Sequence, residues 1–421
     1  MSKRLLTALT TLSILCSPQI HALSEFEQFK QQHLSEAKQY KAEQTDEFKA
    51  YVKANKQAFK QYKAELATVW GKDVTISGKT NWVTHTEDLT TRQEVDFKKE
   101  EIRITMIADK NISNDQINKD IEKQLALLSE TSVDAAQKAD PISQRVAEIV
   151  KNQNLKPNLP PLTEPDLKPV ITLTENPAGS TQAKEEIRTI IQTAKIIKKP
   201  APKPIITQPI ISQPTATKPA SKPTAKDKQR IVVTIPMPKV AVSSKAGRYK
   251  TPVKNSSEKW KIDSALVLAV IHTESSFNPM ARSHIPAYGL MQIVPRSAGQ
   301  DASALIYGNS KMLSSHYLYT PNKNINVGTA YLHILDKRYL RKIKNPESRL
   351  YCTIAAYNTG AGNVARAFTG KTSVTKAASK INAMTPFQVY NHLLRNLPHN
   401  ETKDYLKRVA SRYEAYKKQS I

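Results

Sequence analysis

Cysteine is scarce in this chain. Cys16 and Cys352 are the two in 421 residues, so a disulfide framework of the small secreted kind is excluded. Cys352 lies in an apolar stretch and reads as a buried structural thiol. Beyond a short apolar run at the N-terminus, no stretch approaches the roughly 20 apolar residues of a spanning helix. No Cys or His cluster has metal-ligand spacing, and neither a phosphate loop nor a nucleophile elbow is present. No metal and no cofactor is therefore expected. Acid is also in deficit: 37 Asp and Glu stand against 63 Lys and Arg, a net charge of +26. That balance favours a polyanionic partner, whether nucleic acid, anionic lipid or an acidic wall polymer.

The N-terminus narrows the choice. Lys3 and Arg4 precede an apolar run from Leu5 to Leu15, and Ile20-His21-Ala22 offers a small residue for cleavage. Residues 1–22 read as a signal peptide, with a mature start near Leu23. Export sets a nucleic-acid role aside and points to the envelope. A lipoprotein signal ending at Cys16 is the competing reading, but Leu15 stands where a small residue is wanted. The expectation is a soluble periplasmic protein, with outer-membrane anchoring through Cys16 as the alternative. In the soluble case one cysteine, Cys352, remains and no intrachain disulfide is possible.

Residues 23–69 predict one long polar helix, free of Gly and Pro from residue 24 on. It holds a repeat: Phe26, Phe29 and Tyr40 recur 22 residues later as Phe48, Tyr51 and Tyr62. Twice eleven residues is about 3.67 per turn, which keeps the aromatics on one stripe. A docking helix and a helix packed on its own chain both fit. Residues 70–140 predict a small α+β domain. Val74-Thr75-Ile76 and Glu101 to Met106 alternate as strands do, giving two to four short strands. Residues 114–155 look helical, with Ile117, Ile121, Leu125 and Leu128 at helical spacing. Residues 141–238 hold 16 of the 25 prolines. Residues 141–229 are accordingly expected to be a disordered, extended Pro/Lys-rich linker. A junction strand is expected in 230–244, from Arg230 to Ile235, and a compact helical domain in 245–421. The fold class is thus mainly α.

Asp263 to Ser276 carries the chemistry. Asp263 suits a helix N-cap. Leu266, Val267, Val270 and Ile271 form an apolar stripe, and Glu274 follows three, four and seven residues after the last three. A carboxyl at the edge of such a stripe is desolvated, which raises its pKa and keeps it protonated near neutral pH. That is the requirement for a general acid acting on a glycosidic oxygen. His272 points away from Glu274 and reads as structural.

Ordered motifs follow: Glu274-Ser275-Ser276-Phe277-Asn278-Pro279, then Ser283, then Ala287-Tyr288-Gly289-Leu290-Met291-Gln292-Ile293-Val294-Pro295. Pro321 to Gly328 with Tyr331-Leu332 comes next, then Ala355-Ala356-Tyr357-Asn358-Thr359-Gly360-Ala361-Gly362, and last Glu401-Thr402 with Tyr405. Over roughly 247–415 the chain resembles the soluble-lytic-transglycosylase catalytic domain, with its lysozyme-like, goose-type fold. Trp70 to Met106 and Arg230 to Lys239 resemble the N-terminal domain and domain junction of a membrane-bound branch of that family. The poor lipid signal, the long helix and the Pro/Lys stretch depart from that branch.

The resemblance implies that Glu274 is the sole catalytic carboxylate, acid first and base afterwards. The substrate's acetamido group would stabilise the charged centre, and the muramic 6-hydroxyl would close a 1,6-anhydro sugar. It further implies that Ser283, Gln292, Tyr357, Asn358 and Glu401 contact the glycan. No second acid recurs near Glu274 in the sequence; Glu401 comes late and Asp301 is expected in a loop. The glycines Gly289, Gly328, Gly360 and Gly362 are expected to serve backbone geometry, and Met291 packing. Two alternatives remain: a muramidase-type hydrolase, and an inactive peptidoglycan-binding protein. Expected partners are peptidoglycan strands, with an envelope contact through the N-terminal helix and basic linker.

Overall fold

The computed structural model describes residues 25–152, 165–205, 227–283 and 285–419, and the backbone alone for 25–45. The signal peptide, Cys16 and the first copy of the aromatic repeat lie outside the described residues or side chains. The chain divides into two units, Met1–Lys49 and Ala50–Ile421. The described residues of the first are helical from Glu25, within α1 (Glu25–Trp70). Everything below concerns the second unit. No helix among the described residues is long and apolar enough to cross a membrane.

Glu101 to Met106 lies in β3 (Glu101–Asp109), as its alternation predicts, but Val74-Thr75-Ile76 is not strand: Val74 and Ile76 pack against the cluster around Trp70 without pairing, and β1 (Asn81–His85) and β2 (Thr91–Asp96) precede β3 instead. β4 (Lys195–Pro200) and β5 (Lys228–Pro236) complete an antiparallel sheet of order β1-β2-β3-β5-β4. Ile102 faces Ile235, Ile104 faces Val233 and Met106 faces Ile231 in register, so one face is apolar. α2 (Asn114–Glu130), capped by the Ser113 side chain on the Gln116 amide, covers it with Ile117, Ile121, Leu125 and Leu128. Each such buried side chain contributes about 1.5–3 kcal/mol. The opposite face turns Arg92 over the Trp70 ring, 4.7 Å from its centroid. There the end of α1 packs Phe59, Tyr62, Leu66 and Trp70 with Ile142 and Val146 of α4 (Pro141–Asn152). The second copy of the aromatic repeat therefore packs, through Tyr62, on its own chain.

Residues 141–229 do not form one extended linker. α4 opens with Pro141 at its first turn, where proline is tolerated because that amide has no helical partner, and buries Ile142 and Val146 four residues apart. Val170, Ile171 and Leu173 are buried, and Arg248 donates to the Val170 carbonyl at 3.0 Å. α3 (Val133–Lys138) precedes this segment and α5 (Thr181–Gln192) lies within it. β4 escapes alternation rules because all six residues are exposed; as an edge strand it pairs through its backbone, with Pro200 tolerated at its end. Proline density alone had set the expected boundary. Of the expected junction strand, the part from 237 on is not strand: α6 (Lys239–Gly247) begins there instead.

The remainder is helical, as expected: α7 (Lys250–Trp260), α8 (Ser264–Ser275), α9 (Ala298–Tyr307), α10 (Ser315–Tyr319) and α11 (Pro321–His333). A π-helical turn, Ile334–Tyr339, extends α11. α12 (Pro346–Thr359), α13 (Ala361–Thr369), α14 (Val374–Asn382), α15 (Pro386–Asn396) and α16 (Asn400–Lys418) follow. α8 is the central element. Ala265 to Ile271 are buried on every side, not on one stripe alone, because α7 and α16 both pack against it. Cys352 is buried in α12, and burial pushes its thiol pKa up.

Candidate active site

α8 starts where Asp263 accepts a hydrogen bond from the Ala265 amide at 2.8 Å. It stops where Ser276 and Phe277 adopt positive φ, 52° and 68°. Two consecutive non-glycine residues there cost energy that the surrounding packing must hold. The Ser275 hydroxyl, 2.8 Å from the Leu290 carbonyl, helps tie the helix end to the following loop. Glu274, the last acidic side chain of the helix, is 7% exposed. Burial is the main cause that raises its pKa from 4.5 to about 7. Lys79 opposes that rise, as do Arg408 and the Tyr405 hydroxyl, while Glu401 adds to it. Tyr405 faces the carboxyl, although its hydroxyl makes no hydrogen bond of good geometry to any described group.

Glu274 lines a cleft of about 670 Å3. Ser283, Gln292, Tyr357, Asn358 and Glu401 all line the same cleft. The Tyr357 hydroxyl donates to the Met291 carbonyl at 2.9 Å, so it braces the loop rather than the Glu274 carboxyl. Asn358 Oδ1 accepts from the Thr402 hydroxyl at 2.7 Å, which joins α12 to α16. Gln292 sits at φ 48°, and its Nε2 donates to the Gly289 carbonyl. Its Oε1 is buried and has no hydrogen-bond partner. Ser283 donates its amide to the Ala287 carbonyl and leaves its side chain on the cleft wall. Glu401 is exposed, 73% by side chain, in the first turn of α16.

The loop bearing Gln292 is held by the motif downstream of it. Asn324, fully buried in α11, donates from Nδ2 to the Tyr288 and Leu318 carbonyls at 2.8 and 2.7 Å and accepts from the Met291 amide at 2.8 Å. Gly289 has φ +72°, and a Cβ there would lie 2.3 Å from the Leu318 oxygen. Asn324→Ala removes the side-chain partner of the Met291 amide and the Leu318 carbonyl, while the Tyr288 carbonyl keeps the Ile293 amide at 3.1 Å, so a loss of about 2 kcal/mol or more in urea unfolding is expected. An unchanged midpoint would remove Asn324 from this bracing role.

Several cleft residues have no counterpart among the expected contacts. Tyr331, His399 and Thr402 line it, and so does Lys79, from the segment leading into β1. Tyr331 and Thr402 lie inside the motifs quoted above, which is the signal that marks them. Lys79 has none. Asp301 lies in the first turn of α9 rather than in a loop, and accepts from Tyr339 at 3.0 Å. Glu401, distant in sequence, does reach the Glu274 cleft. His272 lies on the other side of α8, 3.0 Å from the Tyr416 hydroxyl, and burial lowers its pKa to about 4.

A buried carboxyl at the end of an enclosed helix thus faces a cleft walled by these motifs. Residues 251–380 match the family described as Transglycosylase SLT domain. Residues 41–146 match a second one, the N-terminal domain of membrane-bound lytic murein transglycosylase C. Among curated proteins, membrane-bound lytic murein transglycosylase C of Salmonella arizonae is 43% identical over 186 residues, 44% of this chain and 51% of that one. The Klebsiella pneumoniae protein of that name is 42% identical over the same shares. The chain thus spans about half the length of the curated relatives it matches. Among solved structures, the 70 kDa soluble lytic transglycosylase of Escherichia coli is 26% identical over 40% of this chain and 24% of its own, with a TM-score of 0.31. The resemblance read from the motifs, and its membrane-bound branch, are borne out.

Proposed function

We propose that this protein is a peptidoglycan lytic transglycosylase, cleaving the β-1,4 bond between N-acetylmuramic acid and N-acetylglucosamine without consuming water. The observation that carries this reading is Glu274: one buried carboxyl, its pKa raised to about 7, lining the cleft. In its protonated form it gives its proton to the glycosidic oxygen as that bond to C1 breaks. The substrate's own acetamido oxygen stabilises the positive charge that develops at C1. The Glu274 carboxylate then takes the proton of the muramic 6-hydroxyl, whose oxygen bonds to C1. The product is a 1,6-anhydro end, and Glu274 regains its proton. Gln292, Ser283, Tyr357, Asn358 and Glu401 hold the glycan in this scheme.

Glu401 favours a second reading. It is a second carboxylate in the cleft, exposed to solvent, and two carboxylates suffice for hydrolysis. Mass spectrometry of purified sacculi digested with the protein separates the readings. Transglycosylation gives anhydro-terminated fragments, each one water lighter than the hydrolytic product, whereas an inactive wall-binding protein releases neither. Reducing ends alone would sink the first reading. The setting that goes with it is the envelope: export to the periplasm by residues 1–22, with anchoring at Cys16 as the alternative. The relatives' designation as membrane-bound supports an envelope setting.

A further inference from the structure

Lys79 belongs to the segment before β1, yet it lines the cleft around Glu274. It is the one lysine or arginine among the described residues that does so. Its backbone is fixed at two points to the loop that follows α8. Gly78 accepts from the Arg282 amide at 3.1 Å, and the Lys79 carbonyl accepts from Asn278 Nδ2 at 3.3 Å. Arg282 is in turn buried, 3% exposed, and paired with Asp140 at 2.9 Å. Tyr51 of α1 adds a hydroxyl contact to Tyr288 at 2.8 Å. The main chain of Lys79 is therefore part of the cleft wall.

The Lys79 side chain, in contrast, is 46% exposed. Its ammonium meets Glu401 at 4.0 Å, with that carboxylate 73% exposed. A pair this open contributes little, so the ammonium is available to a ligand. The cleft otherwise presents two carboxyls, Glu274 and Glu401. A neutral sugar chain needs no cation there. A glycan carrying carboxylate-bearing peptides does.

We propose that Lys79 is a substrate-binding residue lent to the cleft by the N-terminal region, and that it takes a carboxylate of the peptide attached to the glycan. This rests on the transglycosylase reading above. Lys79→Ala should fold normally, because the contacts to Gly78 and Lys79 that fix the wall are made by main-chain atoms. Kinetics are compared on glycan strands with their peptides intact and on the same strands after the peptide carboxylates have been converted to primary amides, because removing the peptide altogether would uncover a lactyl carboxylate on each muramic acid. On intact strands, loss of one charge-assisted contact should raise KM about tenfold with kcat little changed. On the amidated strands the variant should match wild type when both are compared on the acid plateau, well below pH 7, where Glu274 is protonated in either protein, and Lys79→Arg should restore most of the affinity on intact strands. A wild-type protein that cleaves neither substrate overturns the transglycosylase reading and this inference with it. An active wild type with a variant defect equal on both substrates, or absent from both, overturns this inference alone.

A pH profile gives a further readout. The groups facing Glu274 are Lys79 before β1, Tyr357 on α12, and Glu401, Tyr405 and Arg408 on α16. Among these, Lys79 is the foremost charge holding the pKa down. Its removal should move the alkaline limb of the rate profile to higher pH; an unmoved limb places the ammonium away from the carboxyl and counts against the assignment.

Discussion

Glu274→Gln is expected to abolish anhydro-product formation from sacculi, by about 10^2- to 10^4-fold, the usual contribution of a positioned general acid. The same change should stabilise the fold at alkaline pH. Burial raises the pKa from 4.5 to about 7, so the folded state binds this proton more tightly than the unfolded chain does. Stability is then intact below about pH 4.5 and declines as pH rises through about 7. The full penalty for the ionised form is at most about 3 kcal/mol. Gln cannot ionise. Thermal unfolding should therefore show a higher midpoint for the variant at pH 8 and no comparable gain at pH 4. For the wild type, kcat/KM should fall above about pH 7 as the acid is lost. A variant retaining wild-type turnover would remove Glu274 from the chemistry.

The second large effect lies at Arg282. Burial works against its charge, but Asp140, through its charge and its hydrogen bond, with a smaller electrostatic contribution from Tyr319 and Tyr288, more than offsets this and holds its pKa above the ordinary value. Its guanidinium also lies over the rings of Phe59 and Tyr319, 5.4 and 5.9 Å from their centroids. Asp140→Ala strands that charge where water does not reach it. A loss of about 3–5 kcal/mol is expected in urea unfolding, the range for removing one partner of a buried ion pair. Because Arg282 precedes Ser283 in the cleft loop, activity should fall even under conditions where the variant stays folded. A loss below 1 kcal/mol would show that the pair is solvated in practice.

Much of the site was legible in the chain. The spacing of Val267, Val270 and Ile271 before Glu274 was enough to place a desolvated carboxyl, because helical geometry is local. The motif around Gln292 marked the cleft loop, and Asn324 and Gly289 explain why the motif has its form: an amide stapling three backbone groups and a turn with no room for a Cβ. What could not be read was long-range. Glu401 lies 127 positions after Glu274 in the chain, and the packing of α16 on α8 brings it to the same cleft. Lys79 sits in Ser77-Gly78-Lys79-Thr80, text typical of a turn, and gains its place through docking of one region on another. β4 was hidden for a different reason. Its pairing is carried by backbone amides, and a fully exposed strand leaves no trace in hydrophobic pattern.

β4 and β5 also alter the meaning of the Pro/Lys-rich stretch between them. Pro200 and Gln229 are register partners on adjacent strands, so the stretch leaves the sheet and returns to it at neighbouring points. A segment joined in this way is a closed excursion, not a leash between two bodies. Its contour length does not set the distance between the N-terminal region and the cleft. Lys79 and Glu274 keep their places through the strand pairing on either side of it and the contact of Gly78 with Arg282, whatever that length.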